Sequence, residues 1–345
     1  MQKKTIVLVT GASGFIGAHC VLALLKKGYA VRAVVRSESR IEKCKALINE
    51  HCSGDADVEY AIATLDADRG WDTAVEGCKY VIHVASPLPL NQPSDPNKLI
   101  IPARDGTLRV LKAASRAGVK RIVITSSEAA VCGSPLREKD YIYDEKDWTD
   151  LSNKTVTAYN QSKTIAERAA WNFVNENNSI ELATVCPGVV LGPMLEPKVN
   201  TSLELIKRLM NGSMLLIPPI GYEIVDVRDV ADLHLLAMEK PNGAGGRFIA
   251  SAGFMWLEEV AETLRSSLGK DANKVPTRHA PTWLVRFLAL FDPTIRIILP
   301  DLNQLRRTSY ETSRRELGWI PRPPDEAAIA TAKSLLAYGI LDRNS

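Results

Sequence analysis

The stretch Ile6-Val7-Leu8-Val9-Thr10-Gly11-Ala12-Ser13-Gly14-Phe15-Ile16-Gly17 decides the fold. Its apolar, largely β-branched opening reads as a buried strand, and a helical pattern runs from Phe15 to Lys27 and stops at Gly28. Between strand and helix lies a glycine turn with the spacing that cradles a dinucleotide. Gly11 permits the tight turn, Gly14 lets backbone approach a pyrophosphate at the positive helix end, and Gly17 permits close helix–sheet packing. With Ala12, Ser13, Phe15 and Ile16 they form the candidate phosphate loop.

Outward from this loop the pattern repeats. Ala30 to Val35, Val58 to Ala63, Tyr80 to Val84, Arg121 to Thr125 and Glu181 to Cys186 read as strands. Glu38 to Glu50, Leu99 to Ala117 and Thr155 to Asn177 read as helices. Continuous apolar strands alternating with helices indicate a parallel sheet covered on both faces. The expected fold is α/β, a Rossmann-type doubly wound parallel sheet with a smaller C-terminal substrate lobe. After Pro187 prolines and glycines cluster, and there the chain is expected to leave the sheet. Residues 1–190, with 222–251 returning, would form the dinucleotide-binding domain; 191–221 and 252–345 would form the lobe.

Composition excludes several classes of function. At 46% hydrophobic, 24% charged and net +3, with cations scattered among acids, the chain shows no basic run for nucleic acid or an anionic membrane. The apolar run from Thr5 to Thr10 is too short for a signal or spanning segment. Six cysteines without a Cys-x-x-Cys pair suit a reducing compartment, so a cytoplasmic protein is expected. Cys44, His51 and Cys52 read as the end of a helix, and no metal site is expected.

Two further signals turn the loop into a catalytic hypothesis. At the end of the second strand an NAD-preferring site places a carboxylate for the ribose, but this chain reads Val34-Val35-Arg36-Ser37. Arg36 can clamp a 2′-phosphate and Lys43 can add a second charge, so NADP(H) is the expected cofactor. Tyr159 and Lys163 lie four apart and share a helix face. An ammonium beside a phenol favours the phenolate, which equips the pair for proton transfer. The hydroxyls of Thr125-Ser126-Ser127 follow a strand, at the sheet edge where such folds bind ligands.

Together these residues resemble the extended short-chain dehydrogenase/reductase superfamily and, within it, the dihydroflavonol 4-reductase-like branch of aldehyde and ketone reductases. The resemblance spans nearly the whole chain. It rests on the glycine loop, His83-Val84-Ala85-Ser86-Pro87, Gly106-Thr107, Thr125-Ser126-Ser127, the Tyr159/Lys163 pair and Cys186-Pro187-Gly188-Val189-Val190-Leu191-Gly192-Pro193. Val225-Asp226-Val227-Arg228-Asp229-Val230-Ala231 and Glu316-Leu317-Gly318-Trp319 add to it.

The resemblance implies Ser127, Tyr159 and Lys163 as catalytic residues, with Ser126 an adjacent alternative. It places Val84, Ala85 and Ser86 along the cofactor, Pro187, Gly188, Val189 and Val190 beside the nicotinamide, and Ser202 at the phosphates. Thr64 and Leu65 stand where relatives carry Asp-Leu against adenine, and Asp66 is the nearest substitute. Plant flavonoid reductases carry an Asn after the serine pair; Ala130-Val131-Cys132-Gly133 has none, which argues against a dihydroflavonol substrate.

The reaction expected is NADPH-dependent reduction of an aldehyde or ketone, acting on a small, apolar or aromatic carbonyl compound. The segments 88–97, 194–212 and 215–222 suggest an apolar pocket mouth. A monomer or weak homodimer is expected. The rival readings are an NAD-dependent nucleotide-sugar epimerase or dehydratase and a non-catalytic NADP-binding regulator.

Overall fold

The computed structural model describes residues 4–341 except 53–55, 88–94, 137, 139, 178, 293, 294 and 297. Seven strands form the main sheet: β1 (Ile6–Thr10), β2 (Ala30–Val35), β3 (Val58–Ile62), β4 (Tyr80–His83), β5 (Arg121–Thr125), β7 (Glu181–Pro187) and β10 (Arg247–Ala250). Their spatial order is β10-β7-β5-β4-β1-β2-β3, and every neighbouring pair is parallel. The order reverses between β1 and β4, so their carboxyl ends open a crevice at the switch point where such sheets bind ligands.

Strand alternation explains the two layers of core. Val7 and Val9 of β1 and Ala183 and Val185 of β7 face the helices α1 (Phe15–Lys26), α2 (Glu38–His51) and α7 (Val227–Glu239). Leu8 and Leu182, each next to one of these residues in sequence, face the other side. There α3 (Trp71–Val75), α4 (Asn97–Arg116) and α5 (Ala158–Asn177) cover the sheet. Helices α4 and α5 are those expected over Leu99 to Ala117 and Thr155 to Asn177, shortened or shifted by up to three residues at their starts.

A second sheet has the order β11-β9-β8, built from β8 (Val189–Leu191), β9 (Gly221–Asp226) and β11 (Gly253–Trp256). It separates from β7 at Gly188 alone, because β7 ends at Pro187 and β8 begins at Val189. Thus 189–190 and 222–226, expected with the nucleotide-binding part, pair in the small sheet instead, while α7 and β10 rejoin the large one. Proline and glycine at 187–188 signalled the break but not the pairing beyond it.

Helices α6 (Thr201–Met210), α8 (Leu257–Leu268) and the C-terminal helix Pro324–Ala337 pack a separate apolar cluster against the small sheet. Leu203, Ile206 and Leu209 of α6 are fully buried in it. Most apolar residues of 194–212 therefore fill the lobe's own core, while Met194 and Leu195 also line a cleft beside α1. Leu215 alone of its segment stands well out, 81% exposed, and of 88–97 the residues 88–94 lie outside the described residues. A two-stranded parallel pair, β6 (Ile142–Tyr143) with β12 (Arg307–Thr308), closes the region near β9.

Candidate active site

The glycine loop and the end of β4 meet at one side chain. Thr10 Oγ1 accepts the Ala85 N–H at 3.0 Å and lies 2.8 Å from His83 Nδ1. Gly11 turns at φ +66°, and a Cβ there would stand 3.1 Å from the Ala85 nitrogen. Gly17 leaves no room at all: its Cβ would fall 2.1 Å from the Gly11 carbonyl oxygen. The structure thus sets Ala85, at the end of β4, directly against Gly11 of the glycine loop.

Helix α1 starts with no side-chain cap and no acidic residue in its first turn, so its leading N–H groups stay available to an anion. A small cleft borders this turn, lined by Ser13, Gly14, Phe15, Leu47, Met194 and Asn200. Asn200 caps α6 by accepting the Leu203 N–H at 2.9 Å. Ser202, singled out in the sequence, is half-buried in the next turn and does not line this cleft.

Arg36 and Lys43 are both exposed, one after β2 and the other on α2. Arg40, passed over in the sequence, stands between them in the first turn of α2. Its four-residue spacing from Arg36 was the available signal. Among the described residues none of the three makes an ion pair, so three uncommitted cations stand near the end of β2.

The adenine side is less complete. Thr64 spends its hydroxyl on Asp66, and this bond is the main reason the Asp66 carboxyl is held below its ordinary range. Leu65 packs on α4, where a Cβ at Gly106 would come within 2.9 Å of the Leu65 Cβ. Cys44 is buried, and His51 bonds the Leu195 carbonyl at 3.0 Å.

Three hydroxyls follow β5, and the structure separates their roles. His234 Nδ1–H donates to the Val230 carbonyl at 2.7 Å, which leaves Nε2 to accept the Thr125 hydroxyl at 2.7 Å. Ser126 is buried and donates to Glu167 Oε2 at 2.6 Å. Ser127 is half-buried and accepts the Ala129 N–H at 3.2 Å, which leaves its own proton free to donate. Of the pair, Ser127 is the one whose hydroxyl a substrate could use.

Tyr159 and Lys163 occupy the first two turns of α5, with Lys163 Nζ 5.9 Å from the Tyr159 ring centre. Burial, and after it the Lys163 charge, hold the His83 imidazole down at about 3, so Lys163 lies close to the end of β4. His83 Nε2 is buried with no hydrogen-bond partner among the described residues. The helix is fixed from below by Glu167, which ion-pairs with Arg247 of β10 at 2.7 Å and accepts the Thr184 hydroxyl at 2.9 Å. Arg247 also stacks 3.8 Å from the Trp148 ring.

The residues present therefore suit a dinucleotide phosphate: an uncapped helix end, a glycine cradle and unpaired cations beside it. The chain matches the model of the NAD dependent epimerase/dehydratase family over residues 7–250. It is 40% identical over 266 residues to cinnamoyl-CoA reductase CAD2 of Medicago truncatula, covering 75% of this chain and 80% of that protein. It is 37% identical over 289 residues to an anthocyanidin reductase of Vitis vinifera, with 80% and 83% covered. Among solved structures it is similar to yeast methylglyoxal/isovaleraldehyde reductase Gre2 complexed with NADPH, with TM-score 0.80, 28% identity and 97% and 99% of the two chains covered.

Proposed function

The chain belongs to the NAD dependent epimerase/dehydratase family, and from that premise we propose that it is an NADPH-dependent carbonyl reductase. The reading is supported by an uncapped glycine-loop helix end, by Arg36, Arg40 and Lys43 after β2, by a Ser127 hydroxyl left free to donate among the described residues, and by a Tyr159/Lys163 pair whose lysine charge acts on His83 at the end of β4. The reductase relatives and the NADPH complex of similar fold support it.

When bound, NADPH supplies the hydride. Ser127 donates a hydrogen bond to the substrate's carbonyl oxygen. Tyr159 gives its phenolic proton to the oxygen as charge develops there, and the Lys163 ammonium stabilises the phenolate left behind. Arg36, with Arg40 or Lys43, holds the 2′-phosphate. The glycine-loop N–H groups hold the pyrophosphate.

The substrate we propose is a small apolar or aromatic carbonyl compound, and the relatives named for cinnamoyl and anthocyanidin chemistry support the aromatic class. All six cysteines are free, which fits the reducing compartment of the cytoplasm.

Absorbance of reduced nicotinamide, followed with NADPH and NADH in parallel over aromatic aldehydes, diketones and β-keto esters, tests this. NADPH oxidation that Tyr159→Phe abolishes, by about a hundredfold or more, is the expected result. Nucleotide binding without turnover on any carbonyl would point to a regulator. Firmly retained NAD would point to an epimerase.

A further inference from the structure

Glu128 follows the serine assigned to the substrate oxygen, and its side chain turns inward. It is 8% exposed, and Glu223 of β9 is 5% exposed. One residue joins them: Thr308 Oγ1 donates to Glu128 Oε1 at 2.6 Å, while the Thr308 N–H donates to Glu223 Oε1 at 2.7 Å. Ser251 donates its hydroxyl to Glu223 Oε2. The same pair walls in Gly188, where a Cβ would lie 2.9 Å from Glu128 Oε2 and 2.4 Å from the Glu223 carbonyl oxygen. No other residue type fits at 188 without displacing one of them.

Among the described residues neither acid makes an ion pair. Arg306 is ion-paired with Asp301. Arg307 acts on Glu223 only through its charge and lies 3.7 Å from Asp140. Among the described residues the other ionisable groups nearby are Cys132, Cys186 and Tyr222, with the Glu167–Arg247 pair beyond Cys186, and burial pushes Cys132, Cys186 and Tyr222 up. Tyr143 stands opposite Thr308 in the β6–β12 register. Two carboxylates so placed resist ionising together at neutral pH, because each would be buried beside the other with no ion-pair partner among the described residues.

We propose that Glu128 and Glu223 form a proton-sharing carboxyl pair that positions the Ser127 turn and the Gly188 segment for hydride transfer. They are positioning residues, acting through Ser127 and Gly188 rather than on the substrate. Burial, with Glu223's charge second, holds the Glu128 carboxyl well above its ordinary range. Burial also lifts Glu223 to about 7, against the hydrogen bonds from Ser251 and Thr308. The pair keeps one proton through neutrality and loses part of its second near pH 7.

The proposal rests on the reductase reading for its effect on rate, but the protonation state is measurable without turnover. Infrared difference spectra across pH, on wild type, Glu128→Gln and Glu223→Gln, follow the carbonyl stretch of protonated carboxyls. The expected result is a carboxylic-acid band at pH 6 that each substitution diminishes, with the Glu223 share titrating near 7. In steady-state kinetics with a diketone, wild-type kcat falls on the alkaline side of neutrality, and Glu223→Gln moves that fall to higher pH. Glu128→Ala lowers kcat about tenfold or more with the KM for NADPH unchanged, while Glu128→Gln, which mimics the protonated acid, restores it. Absence of any band lost in either Gln variant overturns the proposal, as does a wild-type kcat in Glu128→Ala. A protein that turns over no carbonyl compound yet keeps both bands sinks the reductase reading alone, and the shared proton stands.

Discussion

His234 lies between α7 and β5 with both ring nitrogens engaged, and it is fully buried. Burial, opposed by the bond to Val230, holds its imidazole down at about 4. His19 sits at about 4 and His83 at about 3, chiefly through burial as well. An imidazole lowered on folding contributes stability that is present above its ordinary value near 6.5 and lost as pH falls toward the folded value. Glu223 has the opposite sign: raised on folding, it contributes stability present below about 4.5 and lost as pH rises through 7. For His234→Gln the expected outcome is a stability deficit that shrinks on acidification. Urea unfolding of wild type and variant at pH 7, 6 and 5 should show the gap narrowing by about 1.4 kcal/mol per pH unit below 6.5. A gap constant across that range would show that His234 is not neutral in the fold.

Helix α5 carries the proposed catalytic pair, Tyr159 and Lys163, at its start and Glu167 one turn further, so the element that bears that pair is also anchored to the sheet. Glu167 accepts from Ser126, Thr184 and Arg247, leaving neither ion of the buried pair short of partners. Removing one member leaves the other charge buried and unpaired, and Glu167→Ala should cost about 3–5 kcal/mol in denaturant unfolding. A cost below about 1 kcal/mol, typical of exposed pairs, would show water reaching Arg247. This element also marks how far the sequence could be read. The Tyr/Lys spacing, the glycine loop and the strand–helix alternation are local patterns, and each lies where its pattern put it. Arg247 pairs with Glu167 across 80 residues, and Glu128, in the turn after β5, approaches Glu223 of the small sheet. Nothing in either neighbourhood marks these acids as buried, since isolated glutamates usually face water. The small sheet escaped for a related reason: Val189–Leu191 is too short to show alternation, and its partner lies beyond α6.

Across the whole molecule the chain passes repeatedly between its two apolar clusters. It leaves the large sheet after Pro187, returns with α7 and β10, leaves again with β11, and comes back once more to bury Trp319 beside α7 before the C-terminal helix. The large sheet is therefore unfinished until β10 is added. A fragment ending at residue 190 lacks that edge strand, α7 and Arg247, and it should show no cooperative thermal transition by circular dichroism. A sharp transition in the fragment would show that the first six strands of the sheet suffice. The buried ion pair has a further consequence for a chain as it is made. At ordinary rates of translation Arg247 leaves the ribosome roughly 4–16 s after Glu167. For that interval the nascent helix bearing Tyr159 carries an acid with no counter-ion, so the order of synthesis delays the final seating of this helix until Arg247 arrives.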